Sequence, residues 1–173
     1  GVEFINVLNS KDFYVNSSLS LSRNLVYNFN ETLYDYGADF SQYNIIENKY
    51  VITDLAFSPG VLLNNHFEWK ANKFLSFILN SKYVGKQYLD NTSNEKRVLK
   101  DFLINDFKIQ TNLTNNVFNN LFFKIEINNI FNVKYSSNGY TFGYYGGMDY
   151  EVRENYFYPQ ATRNIMFSIS IEI

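Results

Sequence analysis

His66 is the chain's one histidine, and Glu68 follows it on the same face of an alternating stretch. Such a pair could ligate a metal or act as acid and base. Its neighbours are of the type of Asn64, however, and we read both side chains as polar residues lining a wet surface. Asp149, Glu151 and Glu154 could offer carboxylates to a hard cation, or form a solvated acidic loop. Gly139, Gly143, Gly146 and Gly147 match no phosphate-binding spacing and lack the strand-to-helix context such a loop needs. They are expected to let a loop turn. There is no cysteine, which removes disulfides, thiolate metal sites and thiol nucleophiles. The 15 Lys and Arg are scattered among 17 Asp and Glu, so nucleic acid finds no basic stripe to follow. No catalytic, metal or cofactor site is expected.

What remains is recognition chemistry. The chain carries 15 tyrosines and 17 phenylalanines, and residues 135–158 concentrate them with four glycines. Tyrosine combines a large apolar face with a hydroxyl, which suits a ligand of mixed polar and aromatic character. Tyr140, Tyr144, Tyr145, Tyr150 and Tyr156 are therefore the candidate ligand-binding residues, with Phe142 and Phe157 beside them. The competing expectation is that these rings pack on neighbouring loops and close an opening.

Those rings need a scaffold, and alternation with period two supplies one. Val15, Ser17, Leu19 and Leu21 oppose Asn16, Ser18, Ser20 and Ser22, in a run that continues through Leu25 and Tyr27 to Phe29. Similar sorting recurs at 61–69, 75–83, 103–109, 121–127 and 165–173, with Ile78, Phe102 and Ile104 as apolar exceptions on polar faces. A partial strand near Phe4 to Leu8 brings the tally to about seven. No run of 18 apolar residues exists that could form a spanning helix.

The connections alternate in length. Those at 9–12, 70–73 and 113–119 are short and polar, whereas 30–54, 87–97 and 134–160 are long. Hairpins with short turns at one end and long loops at the other follow the plan of outer-membrane barrels. Trp69, Tyr83, Phe122, Tyr135 and Tyr27 lie near strand ends, where aromatic girdles would sit. Alternation alone does not separate a lipid-facing barrel wall from a soluble sandwich.

Three segments, in this order, resemble the C-terminal barrel strands of TonB-dependent outer-membrane receptors of the Bacteroidetes type. They are Lys82 to Thr92 (KYVGKQYLDNT), Asn128 to Tyr135 (NNIFNVKY) and Tyr158 to Ile165 (YPQATRNI), the last leading into the final alternating strand. The resemblance covers most of the chain from about Ser17. It departs at Ile173, where such barrels usually end in an aromatic residue. It implies an all-β fold: a transmembrane, antiparallel, up-and-down β-barrel segment, about seven strands of a larger barrel of the 22-strand class. Residues 1–173 would be its C-terminal portion, without the plug domain.

The resemblance further implies the outer membrane of a Gram-negative bacterium and uptake of a siderophore-like or cofactor-like small molecule. The implied partners are the lipid bilayer with lipopolysaccharide, the plug and N-terminal barrel strands, and the TonB system acting through that plug. Connections 30–54, 87–97 and 134–160 would lie outside the cell. The Asn-Ile-Phe-Asn segment would belong to the penultimate strand. Two other readings stay open: a small autonomous outer-membrane barrel with a structural or adhesion role, and a soluble all-β ligand-binding module.

Overall fold

The computed structural model describes residues 1–113, 120–147 and 150–172. These form thirteen strands and no helix: β1 (Val2–Asn9), β2 (Phe13–Leu21), β3 (Leu25–Asp35), β4 (Asn44–Asp54), β5 (Val61–Lys70), β6 (Leu75–Val84), β7 (Gln87–Tyr88), β8 (Val98–Leu99), β9 (Phe102–Leu113), β10 (Asn120–Asn128), β11 (Ser136–Tyr145), β12 (Glu151–Pro159) and β13 (Asn164–Glu172). The main sheet takes β1, β2, β5, β6, β9, β10 and β13 in that spatial order. Every pairing in it is antiparallel. These are the seven alternating stretches of the sequence, and β1 is a full strand. The sheet is open: β1 and β13 are its two edges and do not pair with each other.

Two expectations need correction. The alternating run from Val15 to Phe29 is not one strand, because residues 22–24 break it. β2 stays in the main sheet and β3 leaves it. The long connections, in turn, are folded structures. β3 pairs with β4, β7 with β8 and β11 with β12, and a second sheet runs β12-β11-β3-β4. β11 meets β3 in a short parallel contact, Tyr144 opposite Tyr34 and Tyr145 opposite Asp35. Backbone amides need partners wherever they are buried, and hairpin pairing supplies these within each connection.

Register decides what each face of the main sheet carries. Phe13, Trp69, Phe77 and Ile109 lie opposite one another across four strands, and so do Val15, Phe67, Leu79 and Phe107. On β10 and β13 the same face continues with Ile125 opposite Phe167 and Phe123 opposite Ile169. The other face holds Asn16, Asn64, His66, Asn80, Lys82 and Asp106 around a polar depression of about 350 Å3. The short-turn end is edged by aromatic rings in contact: Phe13 with Trp69 at 6.5 Å, Trp69 with Phe77 at 5.4 Å and Phe77 with Phe107 at 6.3 Å. The other rings expected near strand ends are there too: Tyr83 is one residue from the end of β6, Phe122 and Tyr27 are the third residues of β10 and β3, and Tyr135 immediately precedes β11.

Among the described residues, the buried apolar side chains other than Ile78 gather at the other end. Leu33, Val84, Leu89, Leu99 and Phe102 are buried, and the Tyr135 ring packs on Phe102 with centroids 4.4 Å apart. The core therefore sits where the folded connections cover the sheet. This explains why Phe102 is apolar on an otherwise polar face.

The Asn-Ile-Phe-Asn segment does not lie in the penultimate strand but follows β10 immediately. Asn129 and Asn132 hold φ of 53° and 55°, a left-handed conformation that Asn tolerates better than most residues. Asn129 is buried, and its Nδ2 donates to the Val133 carbonyl at 2.8 Å while its Oδ1 accepts from the Val133 amide at 2.9 Å. Its own amide donates to Asp106 Oδ1 at 2.7 Å, and Asn132 Oδ1 accepts from the Arg163 amide at 3.0 Å. Both asparagines thus close the turn that launches β11 and tie it to the start of β13. Asn129→Ala strands the Val133 amide and should lower stability by about 1–3 kcal/mol. Faster hydrogen exchange confined to residues 129–135 is the measurement, and unchanged exchange there would refute this account of the motif.

Candidate functional site

All three long connections meet in one cluster, held by charges that the sequence scatters over 122 positions. Arg97 is 6% exposed and Glu31 is 7% exposed. Arg97 Nη1 lies 3.0 Å from Glu31 Oε1 and 2.9 Å from Asp90 Oδ2, and it donates to Thr92 Oγ1 at 3.2 Å. Arg153 Nη2 lies 2.6 Å from the same Glu31 oxygen, and its guanidinium also bonds Glu151. Glu31 Oε2 accepts from the Tyr50 hydroxyl at 3.1 Å and from Asn48 at 3.4 Å. One glutamate on β3 therefore receives bonds from β4, from β12 and from the 89–97 segment.

Burial pushes the Glu31 carboxyl up, but the hydrogen bond and charge of Arg153, joined by Arg97, outweigh it and hold it below the usual glutamate range. Burial lowers the Arg97 guanidinium, and Asp90, Glu31 and Glu151 more than restore it. Burial and the neighbouring Glu31 raise the Tyr50 hydroxyl. All three groups thus keep their ordinary ionisation at neutral pH.

Two glycines make the close approach possible. A Cβ at Gly143 would overlap the Arg153 guanidinium, and one at Gly139 would come within 3.1 Å of the Leu89 side chain. The small residues of β11 therefore face the cluster, where they let the arginine and the 87–99 segment pack closely. Only Gly147, with φ of 71°, serves as the turn residue expected of the set. Its amide donates to the Gly37 carbonyl at 2.9 Å, joining the tips of the two hairpins.

The opposite face of the β11–β12 hairpin carries the rings. Tyr140 and Tyr156 stand across from each other with centroids 5.0 Å apart and planes 14° apart. Phe142 lies 6.1 Å from Tyr156 at 3°, and 6.3 Å from Tyr144 at 12°. Tyr158 adjoins Tyr140 at 6.1 Å. Tyr144 passes the row on to Tyr36 on an edge at 6.2 Å, and Tyr36 and Tyr34 both meet Tyr43. Tyr140, Phe142, Tyr156 and Tyr158 are exposed.

Of the five candidate tyrosines, then, Tyr140, Tyr144 and Tyr156 share one row. Tyr145 is on the reverse face of β11, opposite Glu151. Tyr150 is exposed just before β12 and makes no ring contact among the described residues. Tyr34, Tyr36 and Tyr43 were missed, because their stretch offered only a long connection to sequence reading. A cleft of about 500 Å3 runs between the row and the ion cluster, lined by Glu31, Tyr34, Tyr36, Asp90, Thr141, Phe142, Tyr144 and Arg153. The Thr141 hydroxyl oxygen is buried there with no hydrogen-bond partner among the described residues. An apolar wall with a few convergent polar groups is the usual make-up of a small-molecule site.

The other chemical candidates lie apart from this cluster. His66 Nδ1 is 2.7 Å from Asn80 Oδ1 and the ring meets Tyr14 edge-on at 5.7 Å, both on the polar face of the main sheet. Glu151 belongs to the ion cluster and Glu154 accepts from the Tyr156 hydroxyl. Asp149 lies outside the described residues. No group of three His, Cys, Asp or Glu side chains among the described residues could hold an ion.

The geometry defines an all-β protein with an open antiparallel main sheet and one cluster of charges and rings built from its long connections. No protein-family model matches the chain, and no curated protein matches it.

Glu31→Ala should open the cluster, since removing one partner of a buried pair costs about 3–5 kcal/mol. Protease cleavage within 25–54, 87–99 and 136–159 should then rise together, with the main sheet intact. Acid should do the same to the native chain. The Glu31 carboxyl is held down in the folded state, so its contribution is present above the ordinary value of about 4.3 and is lost as pH falls through the lower folded value. Accessibility that is flat from pH 7 to pH 3 would contradict this.

Proposed function

We propose that the chain is wall and external recognition surface of a TonB-dependent outer-membrane receptor that takes up a siderophore-like or cofactor-like molecule. The observation that carries the reading is the alternation of connections around the main sheet. Its strands follow one another as neighbours, with short connections at one end, of which 114–119 lies outside the described residues, and three large folded connections converging at the other. That is the asymmetry of a barrel wall with outer loops. The apolar face would meet lipid, the face with His66 and Lys82 would line the lumen, and the remaining strands and the plug would come from the rest of the receptor. The ring row and the cleft beside it would take the ligand, Tyr140, Tyr144 and Tyr156 stacking on its flat or apolar portions.

The soluble-module reading has one observation in its favour, a row of Ser and Asn side chains crossing the apolar face. Fractionation separates the two. The protein should stay with the outer membrane after alkaline washing and leave it only in detergent, and recovery as a folded protein in plain buffer would sink the proposal. Facing has its own test. Arg at Ile125 or Ile169 should cost roughly 2–4 kcal/mol, against little for Arg at Lys124 or Ser168. Equal costs on both faces would remove the lipid-facing assignment.

Capture is tested by replacing Tyr140, Tyr144 and Tyr156 together with Ala. At about 0.5–1.5 kcal/mol per stacked ring, the affinity of intact cells for ferric siderophores or cofactors should fall at least tenfold. Unchanged affinity with normal surface display would leave the rings as packing between connections.

A further inference from the structure

On the apolar face of the main sheet one level is polar. Asn6, Ser17, Asn65, Ser81 and Asn105 lie directly opposite one another across five adjacent strands. The level on one side is Leu8, Val15, Phe67, Leu79 and Phe107, and on the other it is Phe4, Leu19, Leu63, Tyr83 and Leu103. Ser17 Oγ donates to Asn65 Oδ1, and Ser81 Oγ donates to Asn105 Oδ1, each at 2.6 Å. The row is thus organised in pairs, and the hydroxyl donors are used within it. The amide nitrogens of Asn65 and Asn105 donate to no partner among the described residues.

Lipid is a poor cover for such a row. Two apolar positions stand on β2 to either side of Ser17, Phe13 and Val15 below and Leu19 and Leu21 above. Asn and Ser are too short to reach an interface from there, unlike a snorkelling Lys or Arg. An amide facing hydrocarbon without a partner is costly, and polar side chains at that depth serve as contacts between membrane-embedded segments.

We propose that this row is covered by the same face of a second copy of the chain, with the two Asn65 amides paired reciprocally at the centre. The inference rests on reading the face as membrane-embedded. Three features select a second copy. The row is uncharged, so it calls for no oppositely charged partner. A primary amide carries both donor and acceptor and is its own complement. Asn65 is the middle member of the row, so a two-fold axis through it sets Asn65 against Asn65, as an isologous interface requires. A depression of about 610 Å3 lined by Phe4, Asn6, Ser17, Leu19, Leu63 and Asn65 lies at the same place and can receive the facing side chains. A single buried Asn that fixes partner number and register in a coiled coil acts by the same principle.

The test uses the full receptor in native outer membranes and then in mild detergent. Chemical cross-linking in the membrane and mass determination in detergent should both show a dimer. Asn65→Leu, which suits the face to lipid, should leave the protein membrane-inserted and lower the dimer fraction at least tenfold. Asn64→Leu, on the opposite face, should leave the dimer unchanged. Cross-linking at a second position guards against a folding defect: the two-fold sets Ser17 of one copy against Ser81 of the other, so Ser17→Cys combined with Ser81→Cys, with Asn65 intact, should give a thiol-dependent dimer that Asn65→Leu abolishes. A membrane-inserted monomer, a dimer indifferent to Asn65→Leu, or linkage to a different protein would each overturn the proposal while leaving the receptor reading standing. Absence from the membrane would overturn both.

Discussion

The register in which β2 meets β5, and β5 meets β6, determines the surroundings of nearly every residue in the main sheet. Because side chains alternate, a slip of one position would carry Phe67, Leu79 and Phe107 to the polar side and bring His66, Asn80 and Asp106 out to replace them. Trp69 against Phe13 on one side and Phe77 on the other fixes that register at the tight-turn end. At the turn itself, Asn72 Oδ1 accepts from the amides of Phe74 and Leu75, at 2.8 and 3.1 Å. With the register set from below, the upper ends of β2, β6 and β10 are delivered to fixed places, and the three connections that spring from them must share one space.

What fills that space is a compromise between charge and apolar contact. Leu33, Leu89 and Leu99 bury surface there, but other large apolar side chains of the connections, such as Ile45, Val51, Ile52 and Phe142, stay exposed and leave little core to share. The ion cluster supplies the rest. A desolvated pair gains little over a well-packed apolar substitute, and its real weight is that half of it is intolerable alone. Glu31 must find both arginines, and each arginine must find a second carboxylate. That requirement selects one arrangement of hairpins from the many that loose packing would allow. The rings depend on it in turn. Arg153 and Glu151 lie on one side of β12, and fastening that side inward leaves Tyr156 and Tyr158 outward with Tyr140 and Phe142.

The sheet's two faces also differ in how they treat polar groups. On the polar face, Glu126 takes Lys108 at 2.6 Å and Lys124 at 3.0 Å, and a wet surface can host such charges without further partners. On the apolar face the polar residues are neutral, and apart from Thr111 on β9 those on β1, β2, β5, β6 and β9 stand at one level. A polar level restricted in this way is a positional feature of the assembled sheet, since Asn65 and Ser81 stand on consecutive strands at unrelated places in their own sequences.

Sequence by itself determined the seven strands of the main sheet and the sorting of their faces, because period-two alternation is a local property that each strand carries alone. It also singled out the ring-rich stretch, since five candidate tyrosines and Phe142 fall within residues 135–158. The Asn129 and Asn132 turn was visible as a motif, although its mechanism, two left-handed asparagines closing a loop, was not. Tertiary structure alone decided which rings share a row. Tyr144 and Tyr145 are neighbours in the chain yet face opposite ways, and Tyr34 and Tyr36 join from a hairpin more than a hundred positions away. The ion cluster was equally hidden, because Glu31, Asp90, Arg97 and Arg153 have no pattern in one dimension. Pairing between distant charges depends on where hairpins dock, and docking is set by packing and by desolvation, which no local spacing records.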